Sequence, residues 1–347
     1  MILPWRTERS AGGRILRVLA PGVLGPLASK PPSGVFPRLP SLEHVLARGD
    51  RSVAAAEAPS PEPAGPLSWM GEGGVVGDGY WSRATPVFLQ AEGSGVRLQQ
   101  PPMEAPELER LAETVGDVAA GHGIELHRAG TRWYLRSAAP APSRPPPAQL
   151  AGRFVDGRVP RDPDALAWAR LLSELELTLY DHPINQRRQE QGQAPINSLW
   201  IWGCGQLERR PPRCEWDCIH ADDPAWWGFA RWAGTAWAPL SDVKHLLDEG
   251  APEAGSRVLV VEHRLADALA AGDGEGWLEG VRRLEKDILA PTLEVLKGAR
   301  GASWWAMELD AGDGTGVVRF RPWHRLRVWR RETPWEGHAR VTETSPQ

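Results

Sequence analysis

Between His182 and Gly205 the chain reads His182-Pro183-Ile184-Asn185-x-x-Arg188-x-x-x-Gly192-x-x-Pro195-Ile196-Asn197-x-x-Trp200-x-Trp202-Gly203-x-Gly205. Arg188 offers a planar fork of donors, Asn185 and Asn197 offer neutral amides, and Gly203 and Gly205 permit close backbone approach. That is the chemistry of a loop that holds an oxyanion. We therefore expect His182, Asn185, Arg188, Asn197, Gly203 and Gly205 to contact a phosphorylated or anionic small molecule. The competing reading is a structural loop, in which the Asn and His side chains cap a helix end and Arg188 pairs with an acid such as Glu190.

Two other groupings have chemical potential. Cys214-x-x-x-Cys218-x-His220, with Asp217, Asp222 and Asp223 nearby, has zinc-ligand types. A structural zinc site presents two tight pairs, whereas this is one loose cluster, so free thiols are the simpler reading. The 18 tryptophans, seven of them between Trp200 and Trp237, alternate with arginines and could stack single-stranded nucleic acid. The formal charge of −4, from 40 basic and 44 acidic side chains, favours core filling with arginine stacked on tryptophan instead. Nucleic acid is not expected as a partner, and any basic docking surface must be local.

The elements that would position these residues follow from punctuation and periodicity. Ile15 to Ala20 reads as a first strand, ejected into a loop by Pro21-Gly-Val-Leu-Gly-Pro26. Ser41 is a plausible N-cap for a short helix closed by Gly49. Residues 51–79 and 137–151 are Pro/Gly/Ala-rich excursions. Between them we expect a strand near Thr85 to Leu89, a helix over about 106–120 and a hairpin from Ile124 to Arg136. Asp162-Pro163 then starts the strongest helix, with Leu166, Trp168, Leu171, Leu172, Leu175 and Leu179 at three- and four-residue steps.

Leu199 to Trp202 reads as a buried strand with Gly203-Cys-Gly205 at its carboxyl end. Helices over 223–233 and 277–296 and strands over 257–263, 303–309 and 317–321 complete an alternating pattern, with a tight turn at Asp310-Ala-Gly-Asp-Gly314. The expectation is an α/β fold, a mostly parallel sheet flanked by helices with an antiparallel hairpin at its C-terminal edge. With 347 residues the chain can build a sizeable core. Residues 1–13 and 332–347 read as tails. No run of roughly 18 apolar residues exists to span a membrane, no membrane partner is expected, and three cysteines suit a reducing, cytoplasmic setting.

The His182 to Asn197 pattern, followed by an apolar strand and Gly203-x-Gly205, resembles archaeal-type cofactor-independent phosphoglycerate mutases of the alkaline phosphatase superfamily. Pro21-Gly-Val-Leu-Gly-Pro26, Pro40-x-Leu42-Glu43-x-x-Leu46-Ala47-Arg48-Gly49, Arg132-Trp-Tyr-Leu135 and Arg327-Val-Trp329-Arg330-Arg331 resemble the RpfE-type regulatory proteins, a diverged branch. The resemblance spans residues 14–331 and implies an alkaline-phosphatase-like α/β domain with a cap inserted over approximately 80–200. It implies a hydroxyl nucleophile and an Asp/His cluster holding two divalent metals.

Ser41 is the hydroxyl nearest the nucleophile segment, and Glu262, His263 and Asp267 are the ligands that remain in the metal segment. His263 by itself reads first as a core histidine. The mutases end their first strand in aspartate, where this chain has Ala20-Pro21-Gly22. Near residue 86 the RpfE-type branch carries Asp-Pro-Val-His, where this chain has Thr85-Pro86-Val87-Phe88. The metal set is thus incomplete. The reading is a mutase-like regulatory pseudo-enzyme without a cofactor, taking an anionic small molecule or a regulatory protein partner. The alternatives are an active mutase, with manganese, magnesium or zinc and a Ser41 phospho-enzyme, and nucleic-acid binding through the Trp/Arg-rich C-terminal half.

Overall fold

A computed structural model describes residues 15–25, 37–52, 61–93, 95–150, 154–155, 163–211, 213–249, 256–297, 306–314 and 316–335. Its strands are β1 (Ile15–Leu19), β2 (Asp50–Ser52), β3 (Tyr80–Glu92), β4 (Gly95–Gln99), β5 (Glu125–Ala129), β6 (Arg132–Ser137), β7 (Phe154–Val155), β8 (Ser198–Gly205), β9 (Cys218–Ala221), β10 (Ala236–Ala238), β11 (Arg257–Val261), β12 (Ala306–Asp310) and β13 (Val317–Phe320). They form two sheets.

The first sheet has the order β10-β9-β11-β1-β12-β13-β2. Strands β10, β9, β11, β1 and β12 are parallel, and β13 and β2 run antiparallel to their neighbours. This is an α/β fold with a mainly parallel sheet. Strand β1 is central, and Leu16, Val18, Val258, Val260, Met307 and Leu309 of its neighbourhood are buried, as near-continuous apolar runs in a two-sided sheet must be. Two facing interior positions are charged. Arg17 lies opposite Glu308 in register and donates to it through Nε at 2.7 Å, while Arg319 on β13 donates to the other carboxylate oxygen at 2.8 Å.

Helices α1 (Pro40–Arg48), α7 (Val243–Glu249), α9 (Gly274–Arg283) and α10 (Ala290–Lys297) contribute to the core on one side of this sheet. The predicted helix over 277–296 is present as α9 and α10, joined by a π turn at Leu284–Leu289. Helix α6 (Pro224–Ala233) packs with Ile219, Leu259 and Val261 in a second cluster.

The second sheet, order β5-β6-β3-β4-β7 with β8 on β3, is antiparallel throughout. Helices α3 (Ala105–Gly121) and α4 (Pro163–Tyr180) bury Leu111, Val115, Leu171, Leu175 and Leu179 against Trp133, Leu135, Leu199 and Ile201. It is built from residues 80–205, the span expected to form a cap, and meets the strand ends of the parallel sheet through Arg83.

Several expectations change. Leu199 to Trp202 is a buried strand, but β8 belongs to the antiparallel cap sheet and contains Gly203 and Gly205 itself. The segment after His182 is a helix, α5 (Pro183–Glu190), rather than a loop. The outermost strand beside the C-terminal hairpin is β2, from the region expected to be an excursion. That region also holds α2 (Ala64–Gly71). The Asp162 cap, Ser303 to Trp305 and the tails at 1–13 and 336–347 lie outside the described residues.

Cap and sheet are joined by two helices that nearly touch. A methyl group on Gly228 of α6 would strike the Leu67 carbonyl of α2, one on Gly71 would strike the Pro224 carbonyl, and one on Gly65 would strike the Trp81 carbonyl of β3. Glycine is required at this crossing because the backbones themselves are in contact. Gly203 and Gly205 also provide clearance, since added Cβ atoms would lie 2.8 Å from Ala64 Cβ and 2.5 Å from Pro63 Cβ.

Candidate functional site

Open α/β sheets place ligands beyond the carboxyl ends of their parallel strands. Here β1 ends in Ala20-Pro21-Gly22, β9 in Asp222 and Asp223, β11 in Glu262 and His263, and β12 in Asp310. The cap adds Arg83 from β3, and the helix after β11, α8 (Arg264–Ala271), adds Arg264 and Asp267. Arg83, Asp222, Asp223, Glu262, His263, Arg264 and Asp267 form one network of opposed charges.

Asp223 caps α6, its Oδ1 accepting from the Ala225 N–H at 2.7 Å, and its Oδ2 accepts from Arg83 at 2.9 Å. Arg83 lies over the Trp202 ring, 4.5 Å from its centroid, so β8 braces the guanidinium from behind. Burial pushes the Asp223 carboxyl up, but Arg83 and His263 outweigh it and hold the group below the usual carboxylate range.

Glu262 is fully buried and is closed by the residue two positions on. Arg264 donates to it from the backbone N–H at 3.0 Å, from Nε at 2.8 Å and from the outer nitrogen of its fork. The same guanidinium lies 3.7 Å from Asp222. Its hydrogen bonds to Glu262 raise the Arg264 pKa further. His263 Nε2 is 3.5 Å from Asp267, and its Nδ1 is buried with no partner. Desolvation raises the Asp267 carboxyl, with Asp223 and Glu262 adding to the push, although its exposed side chain lets water screen the effect. Burial likewise raises Asp310, whose Oδ1 accepts from Gly312 N–H at 2.9 Å.

Of the 182–205 block, His182, Asn185, Arg188 and Asn197 bond to other groups and not to this network, whereas Gly203 and Gly205 share β8 with Trp202, which stacks on Arg83. His182 caps α5, its Nδ1 accepting from Ile184 N–H at 3.2 Å, while Nε2 contacts Thr114 at 3.1 Å. Asn185, 1% exposed, donates to the Leu179 and Ile196 carbonyls and accepts from Ile196 N–H. Arg188, equally buried, reaches the Ala194 and Pro102 carbonyls and forms a two-oxygen pair with Glu107 at 3.1 Å. Asn197 brackets Leu89, taking its N–H and donating to its carbonyl. Gly203 and Gly205 face α2 and the proline before it. The block is a clamp that holds α4, α5 and β8 together, and the acid on Arg188 is Glu107 rather than Glu190.

Ser41 sits in the first turn of α1, where its own N–H and that of Leu42 donate to Glu285 at 2.6 and 3.0 Å. A carboxylate therefore already sits at the helix N-terminus, the place an anion would take. Cys204, Cys214 and Cys218 are free thiols, and His220 faces the Pro239 carbonyl at 3.3 Å. Most of the described tryptophans fill cores, and some carry arginines: Arg257 and Arg17 lie over Trp216 and Arg144 over Trp200, whereas Trp237, Trp323 and Trp329 are exposed.

Sequence reasoning missed Arg83, Arg264 and Glu285 as partners. Asp223-Pro224 was legible as a helix start, and Arg264 stands in the run that holds Glu262 and His263. Neither signal says that a guanidinium would close each carboxylate.

No protein-family model matches the chain. A 60-residue stretch is 37% identical to the 2,3-bisphosphoglycerate-independent phosphoglycerate mutase of Methanosarcina mazei, covering 17% of this chain and 15% of the mutase. A 64-residue stretch is 34% identical to the probable enzyme of Geobacter sulfurreducens, covering 18% and 16%. The match thus spans about a sixth of the length of these relatives. Among solved structures, a Pyrococcus horikoshii protein aligns over 89% of this chain and 86% of its own at 13% identity and a TM-score of 0.46. A cofactor-independent phosphoglycerate mutase from Thermoplasma acidophilum aligns over 90% of both at 16% and 0.39. The chain carries a partial mutase-like resemblance.

A divalent metal pair, as the resemblance implies, does not fit the residues present. Both Glu262 oxygens are taken by Arg264, Asp223 is shared between Arg83 and a helix cap, and a cation would approach against two guanidinium groups. Among the described residues no group of three or more His, Cys, Asp or Glu side chains is arranged to hold a metal ion.

Proposed function

We propose that this chain is a phosphoglycerate-mutase-like regulatory protein whose strand-end site no longer transfers phosphoryl groups. The observation that supports this most directly is the closure of Glu262 by Arg264, with Arg83 on Asp223 beside it. Guanidinium ions there supply fixed positive charge without the open coordination positions that phosphoryl-transfer metals use. The regulatory part of the reading rests on the resemblance to RpfE-type proteins.

An anionic ligand at these strand ends would meet Arg264, 42% exposed, as its most accessible cation. It would also meet Asp222, Asp223 and Asp267, so recognition would be selective rather than simply electrostatic.

The active-mutase alternative needs Ser41 to become a phospho-enzyme. Glu285 stands against it, since a phosphoryl group there would face a carboxylate already using the helix amides. The test is direct. Purified protein supplied with manganese is assayed for interconversion of 2- and 3-phosphoglycerate, and its bound metal is measured. The expected result is neither turnover nor stoichiometric metal; turnover lost in Ser41→Ala would overturn the proposal. Thermal shift with 3-phosphoglycerate, repeated in Arg264→Ala, tests the ligand separately.

A further inference from the structure

At the edge of the parallel sheet, β13 leads into a single 3-10 turn at Pro322–Leu326 and then an irregular run to Trp335. Four large apolar side chains point outward within seven residues: Trp323, Leu326, Val328 and Trp329 are 50%, 65%, 73% and 73% exposed. This exposure is not fraying. His324 is fully buried and packs against Phe320, Arg327 is bonded to Asp50 and the Arg48 carbonyl, and Trp335 is buried beside Trp277. The segment is anchored inward at those positions and presents hydrocarbon at the others, on a surface where every exposed CH2 is unfavourable in water.

The charge around these side chains is one-sided. Residues 321–332 hold five arginines and one carboxylate, in a chain of formal charge −4. The carboxylate, Glu332, is engaged by His44 and Arg48. Arg325 and Arg330 donate to the Lys297 and Gly49 carbonyls, Arg330 also shares the field of Asp50 with Arg327, and Arg331 is exposed. Capping of helix-end carbonyls accounts for two arginines. It leaves the outward Trp, Leu and Val unexplained.

We propose that this turn docks the protein on the anionic headgroup surface of a lipid bilayer. Tryptophan suits the headgroup level, arginine pairs with phosphate oxygens, and exposed Leu and Val add apolar insertion that base stacking on a nucleic-acid strand would not use. Peripheral docking needs no spanning helix, and no helix among the described residues is long and apolar enough to cross a membrane. Strand β13 runs antiparallel to β12, so its exit lies at the opposite end of the sheet from Glu262 and Asp310. A docked molecule would keep the strand-end carboxylates facing the solution.

The full chain is sedimented with phosphatidylglycerol or phosphatidylcholine vesicles at low and high salt. The expected result is salt-sensitive binding to phosphatidylglycerol only, lost in Leu326→Ser/Val328→Ser and weakened about fivefold in Arg331→Gln, the worth of one surface charge. All three substituted side chains are exposed, and an unchanged melting temperature shows that folding is intact. Absence of preferential binding, or binding indifferent to these substitutions, would overturn the proposal. So would oligothymidylate binding of equal strength that survives Leu326→Ser/Val328→Ser, or a dimer that those changes dissolve.

Discussion

Arg264 and Arg188 look alike in sequence and differ in consequence. Arg264 closes a buried carboxylate from a position still open to water, so Arg264→Ala leaves Glu262 buried without its guanidinium partner. We expect a loss of about 2 kcal/mol, below the usual cost of breaking a buried pair because Arg264 is partly solvated. Manganese should recover part of the lost melting temperature in this variant, with His263 and Asp267 beside the freed carboxylate, and should leave the parent protein unmoved. A variant that is destabilised yet insensitive to manganese would show that the strand-end geometry is unfit for metal even when uncovered.

Arg188 is buried with all three of its nitrogens engaged. Arg188→Ala should cost about 3–5 kcal/mol in urea unfolding, and Arg188→Lys should rescue little, because an ammonium cannot reproduce the fork. Glu308 carries a pH prediction. Burial opposes its ionisation, but Arg17 and Arg319 outweigh burial and lower its pKa. A carboxylate depressed in the folded state contributes stability above its unfolded value of about 4.3, lost as pH falls through the lower folded value. Glu308→Gln should therefore be less stable at neutral pH and show a flatter acid limb in unfolding free energy against pH.

Helices α2 and α6 lock the cap to the sheet through glycine, which makes the joint sensitive to single methyl groups. Gly228→Ala would drive Cβ into the Leu67 carbonyl and should cost about 2–3 kcal/mol, since backbone must move. Gly121 at the end of α3 is the matched control: nothing lies within 4 Å of an added Cβ, and Gly121→Ala should raise stability by up to about 1 kcal/mol through helix propensity. Equal effects at both positions in thermal melts would remove the close-contact account. The same joint explains the Gly-x-Gly at the end of β8, which the sequence presents as a ligand loop and the packing turns into clearance for Pro63 and Ala64.

For the whole molecule, the central strand of the parallel sheet is the first element in the described chain, yet its partners lie at 257–261 and 306–310. The sheet cannot assemble until the distant C-terminal third is present, so a chain ending at 297 leaves one side of β1 unpaired. We expect that truncation to lose cooperative urea unfolding of the sheet while retaining helical circular dichroism from α3 and α4, whose hydrophobic partners lie within residues 84–204. Long-range pairing of this kind costs loop-closure entropy before it returns contacts, which makes folding slow.

Much of this architecture is written locally. Leu and Val runs at β1 and β11, the heptad-like leucines of α4 and the Asp-Gly turn before β13 follow from residue periodicity and turn chemistry, which act over a few positions. The partition into two sheets does not follow, because β8 and β11 are equally apolar and only strand pairing assigns one to the cap. Nor does the fate of the polar residues. Arg188, Asn185 and Asn197 have the donor chemistry of an anion site, and whether the Arg188 and Asn197 donors face a ligand or the protein depends on Glu107, Pro102 and Leu89, more than 80 residues away. Side-chain chemistry is a property of the sequence; which groups remain open is a property of packing, and here packing closed the 182–205 block and shielded the strand-end carboxylates with arginine.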